Sequence, residues 1–291
     1  MELRQLAYLV AVVDEGGFTA AARREHVAQP GVSAQILRLE AELGQELLDR
    51  SGRRVTPTAA GAAVLPHARA ALAAVAGVRA AVDAVGGLRQ GRVAIGAAPA
   101  CASALAPVLA AFHDEHPGIE LVLTEDAGEP LLAAVRDGSL DLALAGVHGP
   151  LPAGLACRTV MDAPVLAAAP PDHPLARRPA VTARALAGHP LVTLPRGTGL
   201  RAALDAGFAR AGVTPRIAIE AGDPRVLADL ARRGLGVAVL PGAHPEGLRS
   251  LEITAPRMRS SLVLAWRAEG RLDPAAEAFL ERAREADLTP R

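Results

Sequence analysis

A small helical unit with a β-hairpin, a long connecting helix and a larger two-lobed α/β unit are what this 291-residue sequence predicts. Three observations predict them. Apolar residues recur at helical spacing through the first forty-odd positions, interrupted at Gly16-Gly17 and Gly44. An alanine-rich stretch from Thr58 to about Leu88 keeps a single apolar stripe. After Arg92, short β-prone runs alternate with helical patterns.

The length is enough for two or three units with their own cores. With 51% apolar and 21% charged residues, the chain sits in the globular range. Its formal net charge is zero, all 31 basic residues are arginine, and aromatics are 2%. There is no overall basic excess to announce a nucleic-acid partner and little capacity for base stacking, so such a reading rests on local pattern. Met1-Glu2-Leu3-Arg4 opens with mixed charge and enters an amphipathic pattern, which is not a secretion signal. The longest uncharged stretch, Val93 to His113, contains Gly96, Pro99 and Pro107 and reads as strand, turn and helix rather than a membrane span. A cytoplasmic chain with no membrane partner is expected, its Cys101 and Cys157 reduced.

Taken in order, Leu3, Leu6, Leu9, Val10 and Val13 mark a first helix ended by Asp14-Glu15-Gly16-Gly17. Thr19 is the expected N-cap of a short helix, Ala20 to His26. Val27-Ala28-Gln29 forms a tight turn, and Pro30 opens a helix that runs to about Leu43 and stops at Gly44. Ala20, Ala21 and Ala22 allow close helix approach, and Val27, Val32, Ile36 and Leu39 supply an apolar face. This is helix-turn-helix spacing, whose last helix enters the major groove. Ser51-Gly52 then turns a hairpin tipped by Arg50, Arg53 and Arg54, a wing suited to phosphates or the minor groove. In the linker helix Leu65, Ala68, Leu72, Val75, Val78 and Val82 form the stripe, Pro66 bends it, and Gly86-Gly87 end it. Such a helix between two units is expected to pair with a second copy.

Beyond it, Val93–Ala97, Ile119–Thr124 and Leu140–Ala145 read as strands separated by helices, a βαβαβ run implying a parallel sheet. A second set comprises Ala163–Ala169, Leu191–Leu194, Arg216–Glu220 and Gly236–Leu240, with helices after Thr198 and Asp223. A strand at Leu262–Trp266 and a helix at Asp273–Ala286 close the chain. Two lobes joined by crossing strands place a binding cleft between them.

These residues resemble the LysR-type transcriptional regulators along essentially the whole chain. The similarity is carried by Phe18-Thr19-Ala20-Ala21-Ala22, by Val27 through Ile36, by Leu39-Glu40-Ala41-Glu42-Leu43-Gly44, by Leu48-Asp49-Arg50 and by Thr56 through Gly61. Gly138 through Leu144 and Gly234 through Pro241 match phrases of the family's periplasmic-binding-protein-like effector domain. The resemblance implies an N-terminal all-α winged helix-turn-helix over 1–60, a dimerisation helix over 58–90 and an effector domain over 92–291. Lobe I then spans about 92–160 and 256–291, and lobe II about 161–255. It further implies a homodimer or homotetramer, an inverted-repeat operator in double-stranded DNA, contact with RNA polymerase and a small-molecule co-inducer. No metal or other cofactor is implied.

Site residues follow. Gln29, Pro30, Ser33, Ala34, Gln35 and Arg38 sit on the recognition helix, where Gln reads adenine and Arg reads guanine or phosphate. The alternative is an ordinary solvated face. Ala34 departs from the family, many of whose members carry Arg there. Arg50, Arg53, Arg54 and Thr56 belong to the wing, whose alternative is a solubilising hairpin. Residues 1–60 hold seven arginines and eight acids, so this unit is not basic overall. In the cleft, Ala100, Cys101, Gly128, Gly146, Arg196, Gly197 and Thr198 are the effector-binding candidates. Ala100 and Gly128 lack the hydroxyls that the family often places near them. Anion recognition is therefore expected from lobe II, through Thr198 with Arg196 and Arg201 nearby; alternatively Thr198 only caps its helix and the arginines are solvated. Cys101 at a helix start suggests a lowered thiol pKa and a redox pair with Cys157, against the plainer reading of two small buried residues. No Ser-His-Asp elbow, phosphate loop or metal-ligand spacing occurs, so an enzyme is not expected. A solute-binding protein is the other rival, disfavoured by the helix-turn-helix.

Overall fold

The computed structural model describes residues 1–52, 54–85, 90–242, 244–270 and 272–290. Arg53 and Gly86-Gly87 lie outside the described residues, as does the side chain of Val82.

Helices α1 (Leu3–Glu15), α2 (Phe18–Arg24) and α3 (Gln29–Leu43) pack around Leu9, Val12, Ala21, Val32, Ile36 and Leu39, all essentially inaccessible to solvent. Gly16 at φ 70° and Gly44 at φ 68° end α1 and α3 in the left-handed region that favours glycine. Two expectations are corrected. Helix α2 begins at Phe18 with Gly17 as N-cap, because Phe18 turns into the core, so Thr19 lies within the first turn and caps nothing. Val27 is exposed rather than part of the apolar face; His26 takes a positive φ of 56° and turns the chain outward before it.

Strands β1 (Leu48–Asp49) and β2 (Thr56–Pro57) pair antiparallel and form the wing. Helix α4 (Ala59–Val85) follows without interruption, Pro66 included. Thr58 ties its start down, accepting from the Gly61 amide at 3.0 Å and donating to the Glu46 carbonyl at 2.7 Å. Leu65 and Ala68 are buried against the three-helix unit, whereas Val75 and Val78 are exposed.

The α/β region comprises β3 (Gly91–Ala97), α5 (Ala102–Glu115), β4 (Ile119–Glu125), α6 (Gly128–Asp137), β5 (Leu142–Val147), β6 (Leu155–Ala169), β7 (Ala180–Val181), α7 (Ala183–Ala187), β8 (Pro190–Thr193), α8 (Gly199–Arg210), β9 (Arg216–Glu220), α9 (Pro224–Arg232), β10 (Val237–Pro241), β11 (Arg249–Ile253), β12 (Arg259–Arg267) and α10 (Pro274–Glu285). Strands β4, β3 and β5 are parallel neighbours, as the βαβαβ pattern predicts. The sheet is nonetheless mixed: β12 runs antiparallel to both β5 and β6. The physical reason is topological, since β6 leaves lobe I and β12 re-enters beside it. From Leu155 to Pro164, β6 pairs with β12; from Val165 to Ala169 it lies between β10 and β11 in lobe II. Parallel β8 and β9 complete the second sheet beyond β10, and short β7 adds to β11.

One face of the lobe I sheet packs on α5 and α10, where Phe112 meets Phe279 edge-on at 5.2 Å, and the opposite face packs on α6. Lobe II is built the same way around Leu191, Leu204, Phe208 and Val239.

Candidate nucleic-acid interface and ligand cleft

The outward ridge of α3 follows from helical geometry. With Val32, Ile36 and Leu39 turned into the core, Pro30, Ala34 and Arg38 recur every four residues on the exposed side. Gln29 is exposed at the start of the same helix, and Ser33 is half-buried beside the ridge. No side chain caps the start of α3. Arg38 is exposed with no carboxylate or carbonyl partner among the described residues. Gln35 is less free than expected: its side-chain oxygen accepts from the Gln5 amide at 3.4 Å on α1.

The wing also differs from its expected form. Arg50 is not a free tip. Its guanidinium meets Glu40 Oε2 at 2.5 Å and lies 5.3 Å above the Phe18 ring. Glu40 itself is buried on α3, and its other oxygen accepts from the amides of Leu47 at 2.9 Å and Leu48 at 3.2 Å. Arg50 and Glu40 thus hold recognition helix, wing and α2 in one arrangement. Arg54 is exposed and lays its stem over Gly16, whose carbonyl accepts from Val55 N at 3.0 Å. Thr56 is exposed on β2. Among the described residues, the wing therefore presents Arg54.

The cleft between the lobes encloses about 570 Å³. Ala98, Pro99, Ala100 and Cys101 from lobe I face Leu194, Pro195, Thr198 and Leu200 from lobe II, over a floor that includes Met161 and Leu262. Four glycines bring the lobes together. A Cβ on Gly199 would stand 2.3 Å from Val147 N across the gap, and one on Gly128 would stand 3.6 Å from the Gly197 carbonyl oxygen across it and 2.6 Å from the Gly146 carbonyl oxygen within lobe I. The Gly197 carbonyl accepts from Glu129 N at 3.1 Å across the gap. Gly128 and Gly146 line the cleft, while Gly197 closes its edge.

The side chains expected to bind an anion in lobe II are engaged within the protein. Thr198 lines the cleft, but its hydroxyl donates to the Pro195 carbonyl at 2.8 Å and accepts from Arg201 N at 3.3 Å. Arg201 is buried and held by Asp205 and Glu220; Arg196 is exposed and lies outside the cleft lining. Glu220 lies nineteen residues downstream on β9 and leaves no local signal, whereas Asp205 stands four residues along α8, a helical ion-pair spacing that was overlooked. The sequence reading also missed Ser260 and Ser261, which line the cleft from β12. No local signal marks them, since only strand crossing brings β12 there.

Of the two cysteine readings, the structure disfavours the redox pair. Burial pushes the Cys101 thiol up to about 11 despite the helix start. Cys101 packs on the α5 and α10 face of the lobe I sheet and Cys157 on the α6 face, so the sheet itself separates them.

A helix-turn-helix with an exposed second helix, joined by a long helix to two lobes around a cleft, defines a ligand-responsive DNA-binding regulator. Residues 3–62 match the family described as bacterial regulatory helix-turn-helix protein, lysR family, and residues 86–287 match the LysR substrate binding domain. The chain belongs to the LysR family of transcriptional regulators. It is 34% identical over 289 residues to the nitrogen assimilation regulatory protein nac of Escherichia coli, covering 97% of this chain and 93% of that one. It is 31% identical to the RuBisCO operon transcriptional regulator of Allochromatium vinosum, covering 97% and 95%. Similar solved structures include a full-length OxyR variant from Pseudomonas aeruginosa, with a TM-score of 0.72, 24% identity and coverage of 100% and 97%. Another is CbnR in complex with its target DNA, with a TM-score of 0.56, 25% identity and coverage of 98% and 99%. The chain is accordingly a DNA-binding transcriptional regulator with an effector-binding domain, and not an enzyme. The family descriptions name a regulatory helix-turn-helix and a substrate-binding domain, and CbnR is seen bound to its target DNA. Among the described residues no helix is long and apolar enough to cross a membrane.

Proposed function

We propose that α3 reads an inverted-repeat operator through Gln29, Pro30, Ser33, Ala34, Gln35 and Arg38, with Arg53, Arg54 and Thr56 of the wing at the flanking backbone. Arg50 supports that surface from behind. The unit of 1–60 is joined by the 58–90 helix to the effector domain of 92–291, whose lobes enclose an effector against Ala100, Cys101, Gly128, Gly146 and Thr198. The exposed Val75 and Val78 on α4 support homodimerisation through that helix, with a tetramer as the larger assembly. The regulator acts in the cytoplasm and contacts RNA polymerase once seated on its operator.

The observation that carries this reading is the outward ridge of Pro30, Ala34 and Arg38, with its unpaired guanidinium. Arg38→Ala is expected to weaken binding to the chain's own upstream duplex about tenfold and to lower the salt slope by about one per protomer if Arg38 meets a phosphate. Fluorescence anisotropy across a salt series measures both. Unchanged affinity and slope would remove Arg38 from the interface.

A further inference from the structure

We propose that residues 287–290, which follow α10, form a strap at the mouth of the cleft, and that Thr289 and Pro290 set the size of the effector it admits. This inference rests on the cleft being the effector site.

The strap is anchored by side chains, not left trailing. Helix α10 ends at Glu285, and Ala286 turns extended at φ −77° and ψ 151°. Arg158 of β6 holds that end. Its guanidinium donates to the carbonyls of Ala283 at 3.3 Å, Arg284 at 2.7 Å and Ala286 at 3.0 Å. A cation there also suits the negative end of the helix dipole. Two residues further, Leu288 is fully buried in the lobe I core with Phe112 and Phe279. A leucine sunk into the core beyond the end of its helix fixes where the chain emerges. The Thr289 amide then donates to Asp287 Oδ1 at 3.0 Å, the local turn an aspartate makes with the residue two ahead. After that turn, Thr289 and Pro290 lie in the lining of the cleft.

Their exposure places them at the mouth. Thr289 is exposed and Pro290 half-buried, as are the exposed Arg225 and half-buried Asp223 that line the cleft from lobe II. The floor is stiffer. Met161 of β6 and Leu262 of β12 line it and are paired across the strands, so neither moves without disturbing the sheet. Residues 289 and 290 belong to no helix or strand. Moving them costs local contacts alone, which is the low-stability end of a structure. A ligand that ends largely enclosed needs a side of this kind to enter by. With the base pinned at Leu288, only the residues beyond it swing. A small molecule passes them, and a bulky one waits for them to open.

Labelling of a thiol inside the cleft tests the gate without a ligand. Ser260 is 6% exposed and lines the cavity, so Ser260→Cys in a Cys101→Ala/Cys157→Ala background places one reporter there. The full-length chain is compared with a chain ending at Leu288 and with a full-length Thr289→Gly/Pro290→Gly variant, each checked for an intact melt. The double-glycine variant decides if the shortened chain does not fold. N-ethylmaleimide is the small probe and N-(1-pyrenyl)maleimide the bulky one. Either change to the strap is expected to speed the bulky reagent about tenfold or more, the factor for an open state populated at about 10% or below, while the small one gains less than about threefold. Equal gains for both reagents, the mark of general loosening, or no gain for the bulky one, overturn the strap. The pyrenyl adduct also serves as a tethered occupant of the cleft, expected to shift affinity for the chain's own upstream duplex about fivefold or more. Size-selective labelling with unshifted affinity in the labelled protein instead overturns the cleft as the effector site, while the gate stands.

Discussion

Replacing Glu40 with alanine is expected to destabilise the helix-turn-helix unit by about 3 kcal/mol and to weaken operator binding more than tenfold. Glu40 is buried and satisfies three donors at once: the Leu47 and Leu48 amides and the Arg50 guanidinium. Its removal strands two backbone donors, each a cost of about 1–3 kcal/mol, and leaves Arg50 without its counter-charge. The figure stays at the low end because Arg50 is about one-third exposed and water screens it. Without the carboxylate, β1 keeps its core packing but loses its hydrogen bonds to α3, and the angle of the wing to the recognition helix loosens. Glu40→Gln keeps an acceptor for the two amides and is expected to recover about half of the loss. Chemical denaturation of the full-length protein, read by hydrogen exchange at Leu47 and Leu48, measures this. Protection at those amides unchanged in Glu40→Ala would refute it.

The second large effect concerns communication. Arg69 of α4 joins both ends of the protein. It meets Asp14 at the end of α1 at 2.5 Å and Asp137 at the end of α6 at 3.7 Å, and is only 13% exposed. Helix α6 starts at Gly128 in the cleft and, at 1.5 Å rise per residue, carries any shift there about 15 Å to Asp137. A perturbation of the cleft needs no ligand: Gly199→Leu forces side-chain atoms onto the Val147 backbone and pries the lobes apart. In the wild-type background, Gly199→Leu is expected to change operator affinity about tenfold, within the usual range of coupling energies. In an Arg69→Ala background the same substitution is expected to change it less than twofold. Equal effects in both backgrounds, the additive result for independent sites, would show that Arg69 does not couple them.

How far the residues foretold this arrangement depends on the range of the interactions. The three helices, their glycine stops and the wing hairpin were legible because each is set by neighbours a few residues away, as at Gly16, Gly44 and Ser51-Gly52. The α/β strands were legible as apolar runs, but their direction was not. Only the crossing of β6 and β12 between lobes makes the sheet mixed. The short elements β7, α7 and β11 lack enough residues for periodicity to speak.

The charged side chains were the least legible. Arg50 and Arg201 read as free cations, yet their partners Glu40 and Glu220 lie ten and nineteen residues away on other elements. The cleft residues near Ala100, Gly128 and Thr198 were placed by pattern. Their chemistry turned on hydrogen bonds to carbonyls, such as Thr198 to Pro195, that no spacing encodes. Ser260 was silent because one serine in a strand carries no signal until its neighbours are known.

Recognition of a particular DNA sequence through α3 and the wing is what sets this chain's role as a regulator. The most direct measurement is its affinity for its own upstream intergenic duplex beside a scrambled duplex of the same length and composition, at several salt concentrations. Preference for the native duplex by about 10³-fold or more is expected, with affinity for both falling steeply as salt rises. Equal affinity for native and scrambled duplexes at every salt concentration, with no better duplex recovered from the genome, would contradict it.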